Sequence, residues 1–252
     1  MRTSSLRRFI RLCCAALAMV LLPGLVSAAI SINRTRLIVT QQEREASAQI
    51  LNEGTQPVLI QTWVDTGDAQ RQVEQIKAPF LVDPPVFRLD PGQSRQVRVL
   101  MVWPIEQLPQ ERESVFWFNV LEVPPKAESQ QASNHLQISF RTRLKIFFRP
   151  QSVVQQLAGD VQHLTFMLRR DASGNAALSI HNPSPQYWSF DVLEVIAPDG
   201  TRVPLPPRMV APGQSVEHPL NRSISQANWR VHFSTIDDLG VVHDEEKTLL
   251  PE

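Results

Sequence analysis

The sequence predicts an all-β protein built from two β-sandwiches in series. Three observations carry that prediction. Twenty prolines stand against only nine glycines. No segment shows the long apolar repeat of an amphipathic helix. Short stretches of alternating apolar and polar residues recur between clusters of turn residues along the chain.

The first 28 residues stand apart from this pattern. Arg2, Arg7, Arg8 and Arg11 precede an apolar run from Leu12 to Val26, which closes on the small residues of Val26-Ser27-Ala28. That is the form of a cleavable secretory signal, with the mature chain starting at Ala29. A membrane anchor needs about 20 apolar residues, whereas this run is shorter and holds Pro23 and Gly24. No membrane insertion is expected after cleavage. Cys13 and Cys14 leave with the signal, so the mature chain must be stable through its core without a disulfide that its compartment would permit. Removal of the signal takes four arginines and no acidic residue from a balanced 25 and 25, leaving a net charge of −4. With no basic run beyond Arg169-Arg170, no nucleic-acid partner is expected.

In chain order the strand candidates are Ala29–Val39, Ala46–Leu51, Val58–Val64, Val86–Leu89, Ser94–Met101, Ser114–Val120 and Leu136–Phe148. Seven strands in about 120 residues match an immunoglobulin-like sandwich. Asn52-Glu53-Gly54, Thr66-Gly67-Asp68, Asp83-Pro84-Pro85 and Asp90-Pro91-Gly92 punctuate them. After Arg149-Pro150 a second set follows: Leu164–Arg169, Ala176–His181, Trp188–Ile196, Ser215–Pro219, Trp229–Thr235 and Val241–Leu249. The expected division is residues 29–150 and 151–252, with a linker too short for free rotation. The two immunoglobulin-like sandwiches are therefore expected at a fixed angle, a boomerang with a cleft between its arms. Leu89-Asp90-Pro91-Gly92-Gln93-Ser94 and Val210-Ala211-Pro212-Gly213-Gln214-Ser215 repeat one turn in both halves.

The motifs of enzymes are absent. The chain holds no Gly-Xaa-Ser-Xaa-Gly elbow, no P-loop, no His-Glu-Xaa-Xaa-His helix and no mature cysteine. Its six histidines lie at least 11 residues apart. No catalytic residue, cofactor or metal is expected.

Residues 135–150 carry the strongest binding signal. Leu136, Ile138, Phe140, Thr142, Leu144, Ile146 and Phe148 alternate with Gln137, Ser139, Arg141, Arg143, Lys145, Phe147 and Arg149. At a sheet edge such a strand can be offered to another chain's groove, the main chain supplying affinity and alternate side chains specificity. Arg34 and Arg36 add cations in the first strand. Two readings of these charges stand open on the residues alone. They guard an edge against wrong pairing, or an Arg and a Lys meeting at the cleft bind a chain-terminal carboxylate.

Several phrases occur in the order found in one family. They are Asn33-Arg34-Thr35-Arg36, Asp83-Pro84-Pro85-Val86-Phe87-Arg88-Leu89-Asp90-Pro91-Gly92, and Leu108-Pro109-Gln110-Glu111-Arg112-Glu113-Ser114 with Phe116-Trp117-Phe118-Asn119. Glu122-Val123-Pro124-Pro125, Leu144-Lys145-Ile146-Phe147-Phe148-Arg149-Pro150 and His181-Asn182-Pro183-Ser184-Pro185 follow. With them the mature chain resembles the PapD-like periplasmic chaperones of chaperone–usher pilus assembly. The brief Pro125–His135 segment is similar to the short-loop subclass serving rod-type pili.

The resemblance implies a chaperone of the periplasm whose partners are pilus subunits and an outer-membrane usher. It places the anchor for the subunit's C-terminal carboxylate on Arg36 and Lys145. Leu136, Ile138 and Phe140 would fill the subunit's groove, and their burial is worth about 4–9 kcal/mol before entropy costs. An interdomain salt-bridge group falls on Glu113, Arg149 and Asp238. Because Lys145 lies in the opposite register from the groove-filling row, either it turns into the cleft or a bulge intervenes; the former is expected. An apolar edge left uncapped also allows the free protein to self-associate. The competing readings are a secreted two-domain adhesin or structural pilus component and, less favoured, a sandwich hydrolase.

Overall fold

The computed structural model describes residues 30–125, 138–157, 164–170, 175–220 and 228–251. Two hydrophobic cores organise them, one within residues 37–148 and the other within residues 164–249.

The first core lies between two sheets. One has the order β1 (Ile30–Ile32), β3 (Glu45–Asn52), β7 (Ser94–Met101), β5 (Phe80–Asp83). The other runs β2 (Arg36–Thr40), β9 (Phe140–Arg149), β8 (Ser114–Val123), β4 (Val58–Asp65), β6 (Val86–Leu89). Alternation decides what is buried: Ile50, Val97 and Val99 from one sheet meet Val39, Ile60, Phe118, Ile146 and Phe148 from the other. The second core is formed by β14 (Ser215–Pro219), β11 (Ala176–His181), β10 (Thr165–Arg170) and β17 (Leu250–Pro251) facing β13 (Arg202–Pro204), β12 (Phe190–Ile196), β15 (Arg230–Ile236) and β16 (Val242–Thr248).

Three expectations need correction. The single strand Ala29–Val39 is two: β1 pairs with β3, then the chain bends at Asn33–Thr35 and β2 joins β9 in the opposite sheet. Asn33 makes the break, since its N–H donates to the Gln49 carbonyl and its Oδ1 accepts from the Gln49 N–H. Short β5 and β13 escaped notice because prolines bracket them closely: Pro79 and Pro84 around one, Pro204 and Pro206 at the end of the other. Within the described part of the strand predicted as Leu136–Phe148, Ile138 and Ser139 lie before the ladder, which runs from Phe140 to Arg149. It is no simple edge strand either. β8 flanks it from Phe140 to Phe148, while parallel β2 covers only Lys145–Arg149. Among the described residues Phe140–Leu144 therefore keeps one open side.

The repeated turn has a structural cause. In the first domain the buried Asn52 side chain donates to the carbonyls of Gln56 and Leu89 and accepts from the Gly54 N–H. In the second, Asn182 donates to Gln186, Val210 and Ala211 and accepts from the Ser184 N–H. Asn52 and Asn182 also donate their main-chain N–H to the carbonyls of Gln93 and Gln214, within the two repeated phrases. Gly92 and Gly213 have φ of 73° and 67°, the left-handed region where glycine is favoured. Asn182→Ala leaves several buried polar groups unpaired and is expected to cost about 3 kcal/mol in chemical denaturation. A loss below about 0.5 kcal/mol would show that the amide is not what ties this turn.

Between the domains, Pro150 leads into α1 (Gln151–Leu157), an N-terminal position that proline tolerates. Val153 is buried, the Gln151 N–H donates to the Gln41 side chain, and the Ser152 hydroxyl donates to the Gln110 carbonyl. The junction is thereby fastened to the first domain.

Candidate functional site

Arg36 opens β2 and Lys145 faces it as its partner in the parallel ladder to β9. Both side chains reach the second domain. Arg36 Nη1 donates to the Ile236 carbonyl at 2.7 Å, and Lys145 Nζ donates to Ser189 Oγ at 3.0 Å. Arg36 is only 7% exposed, and its buried Nε has no hydrogen-bond partner. Among the described residues neither cation forms an ion pair. Burial lowers the proton affinity of Arg36, and Asp238, Asp237 and Glu113 offset this only in part. Burial lowers that of Lys145 as well, and repulsion from Arg36 adds to it. Two partly desolvated positive charges thus lie side by side, and among the described residues no carboxylate is in ion-pair contact with either.

The neighbouring Arg149 is already paired. Arg149 Nε donates to Glu113 Oε1 at 2.6 Å, and its Nη1 and Nη2 donate to the two oxygens of Asp238 at 2.6 and 2.9 Å. Glu113 Oε2 in turn accepts the N–H of Tyr187 at 2.8 Å. The network thus joins the residue before β8, β9, the segment before β12 and the loop after β15. Burial raises the Glu113 carboxyl above its usual range against the pull of Arg149. Burial opposes the charge on Arg149, but its two carboxylate partners outweigh it and raise its affinity for the proton.

Arg141 and Arg143, unlike Arg36 and Lys145, are paired with a carboxylate of their own sheet. Both bond Asp65, whose side chain is 1% exposed, at 3.1 and 2.7 Å. Both also donate to Asn119 Oδ1 and lie over the rings of Trp63 and Trp117 at 4.8 and 5.5 Å. They fasten the outer face of their own sheet. Neither Asp65 nor Ser189 was picked out from the sequence, because nothing local marks a residue that meets its partner 44 to 78 positions away.

Along β9 the ladder to β8 runs without a register shift from Phe140 to Phe148. Leu144, Ile146 and Phe148 enter the first core, and Lys145 faces the other way. On the core-facing side the upper row is exposed: Phe140 at 48%, and Ile138 just before the strand at 55%. Leu136, the residues 126–137 that decide loop length, and the signal segment lie outside the described residues.

The arms also interlock. The loop Asp237–Gly240 is held by Asp237 Oδ1, which accepts the N–H of Leu239 and of Val241. A Cβ at Gly240, where φ is +86°, would approach Thr35 Oγ1 to 2.5 Å. A cleft of about 430 Å³ opens beside this contact, lined by Arg36, Phe147, Tyr187, Trp188, Ile236 and Leu239 among others. Among the described residues no cluster of histidine, cysteine or carboxylate side chains is arranged to hold a metal ion. No described helix is long and apolar enough to cross a membrane.

Residues 29–154 match the model of the family described as pili and flagellar-assembly chaperone, PapD N-terminal domain. Residues 160–247 match that of the pili assembly chaperone PapD, C-terminal domain. The chain is 37% identical over 217 residues to the probable fimbrial chaperone YadV of Escherichia coli K12, covering 84% of this chain and 86% of that one. Over 237 residues it is 37% identical to the chaperone protein FimB/FhaD of Bordetella pertussis, covering 92% and 94%. Among solved structures the YadV chaperone superposes with a TM-score of 0.69 at 33% identity, over 88% of this chain and all of that one. The SafB chaperone of Salmonella enterica, crystallised in complex with the SafA pilin, does so at 0.67 and 26%, over 90% and 99%. The chain therefore belongs to the PapD family of pilus-assembly chaperones.

Proposed function

We propose that this chaperone caps pilus subunits in the periplasm by lending them a strand, anchors each subunit's C-terminal carboxylate on Arg36 and Lys145, and passes it to an outer-membrane usher. It acts by binding and performs no catalysis. The observation that carries the reading is the coincidence of two features along β9, one of them shared with the start of β2. An unpaired cation pair lies at the foot of a strand segment that has one open backbone edge and exposed apolar side chains.

That coincidence sets a direction. A chain whose carboxylate rests between Arg36 and Lys145, and whose backbone continues along Phe140–Leu144 toward Ile138, must run parallel to β9. It would extend the line of β2, ending where β2 begins, and so occupy the side that β2 leaves open. Ile138 and Phe140, together with Leu136, would then enter the groove of a subunit that lacks its last strand. Glu113, Arg149 and Asp238 would hold the angle between the arms rather than touch the subunit.

The chaperones named among the relatives, and the pilin in the SafB complex, favour this reading over an adhesin or structural pilus component. The basic and then apolar leader supports the periplasmic location. The working division is residues 29–150 for the capping domain and 151–252 for the second. The same open edge lets two free copies cover one another.

The test is co-expression in a periplasm with the subunits encoded beside the gene. The wild type is expected to co-purify with them. The double variant Ile138→Asp, Phe140→Asp is expected to remain folded and lose them, since two charges cannot enter an apolar groove unpaired. Undiminished capture by that variant would sink the lent-strand reading.

A further inference from the structure

One carboxylate stands in the row that the capping reading turns toward the subunit. Glu122 on β8 is the ladder partner of Phe140, so the two side chains share a face of the sheet about 5 Å apart at Cβ. On its other flank Glu122 is paired with fully buried Ile60, and below it on the same face lies buried Val120. Glu122 is only 8% exposed. Among the described residues it has neither a hydrogen bond nor an ion pair for its carboxylate. Burial raises its carboxyl above the usual range, and no neighbouring charge offsets that.

The cations of adjoining elements are engaged elsewhere. Arg88 pairs with Asp90, Arg95 lies over the Phe87 ring, and Arg141, on the opposite face of β9, pairs with Asp65. The side chain is largely buried while its carboxylate oxygens keep contact with water, so the charge is tolerated in the free protein and would become costly if sealed without a partner. The carboxylate adjoins an exposed phenyl ring that is ready to be covered.

We propose that Glu122 is a recognition residue of the capping surface, and that the captured subunit brings a lysine or arginine to it from the rim of its open groove. The inference rests on the capping reading and names what the subunit must offer. Closing a groove over Phe140 removes the carboxylate's remaining contact with water. An ionised group sealed without a partner opposes capture, whereas an incoming cation makes a charge-assisted bond that exists only in the complex. Glu122 then selects subunits carrying such a cation and rejects those presenting an acidic or apolar rim there.

Purified subunit from the co-expression above serves as the probe. Glu122→Gln is expected to weaken capture at least tenfold while its thermal midpoint stays at or above that of the wild type, because the neutral side chain removes a buried charge. A merely structural role would move the midpoint and spare capture. Each lysine and arginine bordering the subunit's groove is next replaced singly by glutamate. One such subunit is expected to escape the wild type and to be recaptured by Glu122→Lys. Wild-type capture by Glu122→Gln, or failure of every charge exchange to restore capture, overturns this inference and leaves the capping reading intact. A wild-type chain that captures no subunit at all overturns both.

Discussion

Replacing Lys145 with methionine is expected to abolish subunit capture while leaving the free protein at least as stable as the wild type. The two outcomes have one cause. In the free protein the ammonium is held in a partly dry site beside the Arg36 guanidinium, and its proton affinity is lowered by burial and by that neighbour. A lysine whose folded value lies below its unfolded value binds fewer protons when folded. Its charged form therefore opposes folding, and stability rises with pH between the lowered folded value and the ordinary 10.5. Methionine keeps the aliphatic volume and removes the charge, so the rise should vanish from the pH profile of the variant. On the capping reading proposed above, the same charge faces the subunit's carboxylate in the complex. Losing one member of a desolvated charge pair costs about 2–5 kcal/mol, or roughly 30- to 4,000-fold in affinity. Arg36→Ala should weaken capture comparably, but it also strips the Ile236 carbonyl of its donor and so should lower stability. Methionine at 145 that captures subunit as the wild type does would remove the carboxylate anchor from consideration.

The second large effect is expected at Arg149. Arg149→Ala strands Glu113, whose carboxylate is almost wholly buried, and should destabilise the fold by about 3–5 kcal/mol in chemical denaturation. Asp238→Ala should cost under about 1 kcal/mol, since that carboxylate is half exposed and exposed pairs contribute little. Both should widen the distribution of angles between the arms in small-angle scattering. A pH signature accompanies them. The Glu113 carboxyl titrates above its ordinary 4.5, so this group favours the folded state below 4.5 and loses that contribution as pH rises through its raised value. Acidification neutralises the stranded carboxylate in Arg149→Ala. The gap in stability between variant and wild type should therefore narrow as pH falls toward 4.5. A gap that stays constant across that range would mean that the loss comes from packing of the arginine stem and not from the buried charge.

Much of this was legible in the residues because it is written in local periods. The row Leu144, Ile146, Phe148 follows from alternation alone. The shared Pro-Gly turn announced that both halves repeat one turn, though not that buried Asn52 and Asn182 close it. Cation chemistry with family order brought Arg36 and Lys145 into one site. What stayed hidden depends on contacts between distant segments. Arg141 and Arg143 read as spare charge until Asp65 is found beneath them, and no spacing rule joins a residue in β4 to two in β9. The bend at Asn33 was missed because the apolar run continues on either side of it while the chain changes sheets. Glu122 looked like one letter of a family phrase, and only its place beside Phe140 with no partner among the described residues singles it out.

The uninterrupted ladder of β9 has a consequence for which clients can be served. Lys145 and Phe140 are five residues apart, about 17 Å along an extended strand. If the chain end is clamped at one and the first groove-filling ring stands at the other, the protein measures its clients from their last residue. A pilin one residue shorter would meet that ruler with every side chain of its final strand turned to the wrong face, however well its groove fitted otherwise. Such a chaperone inspects length as well as shape, and a truncated subunit would be turned away before it reached the membrane.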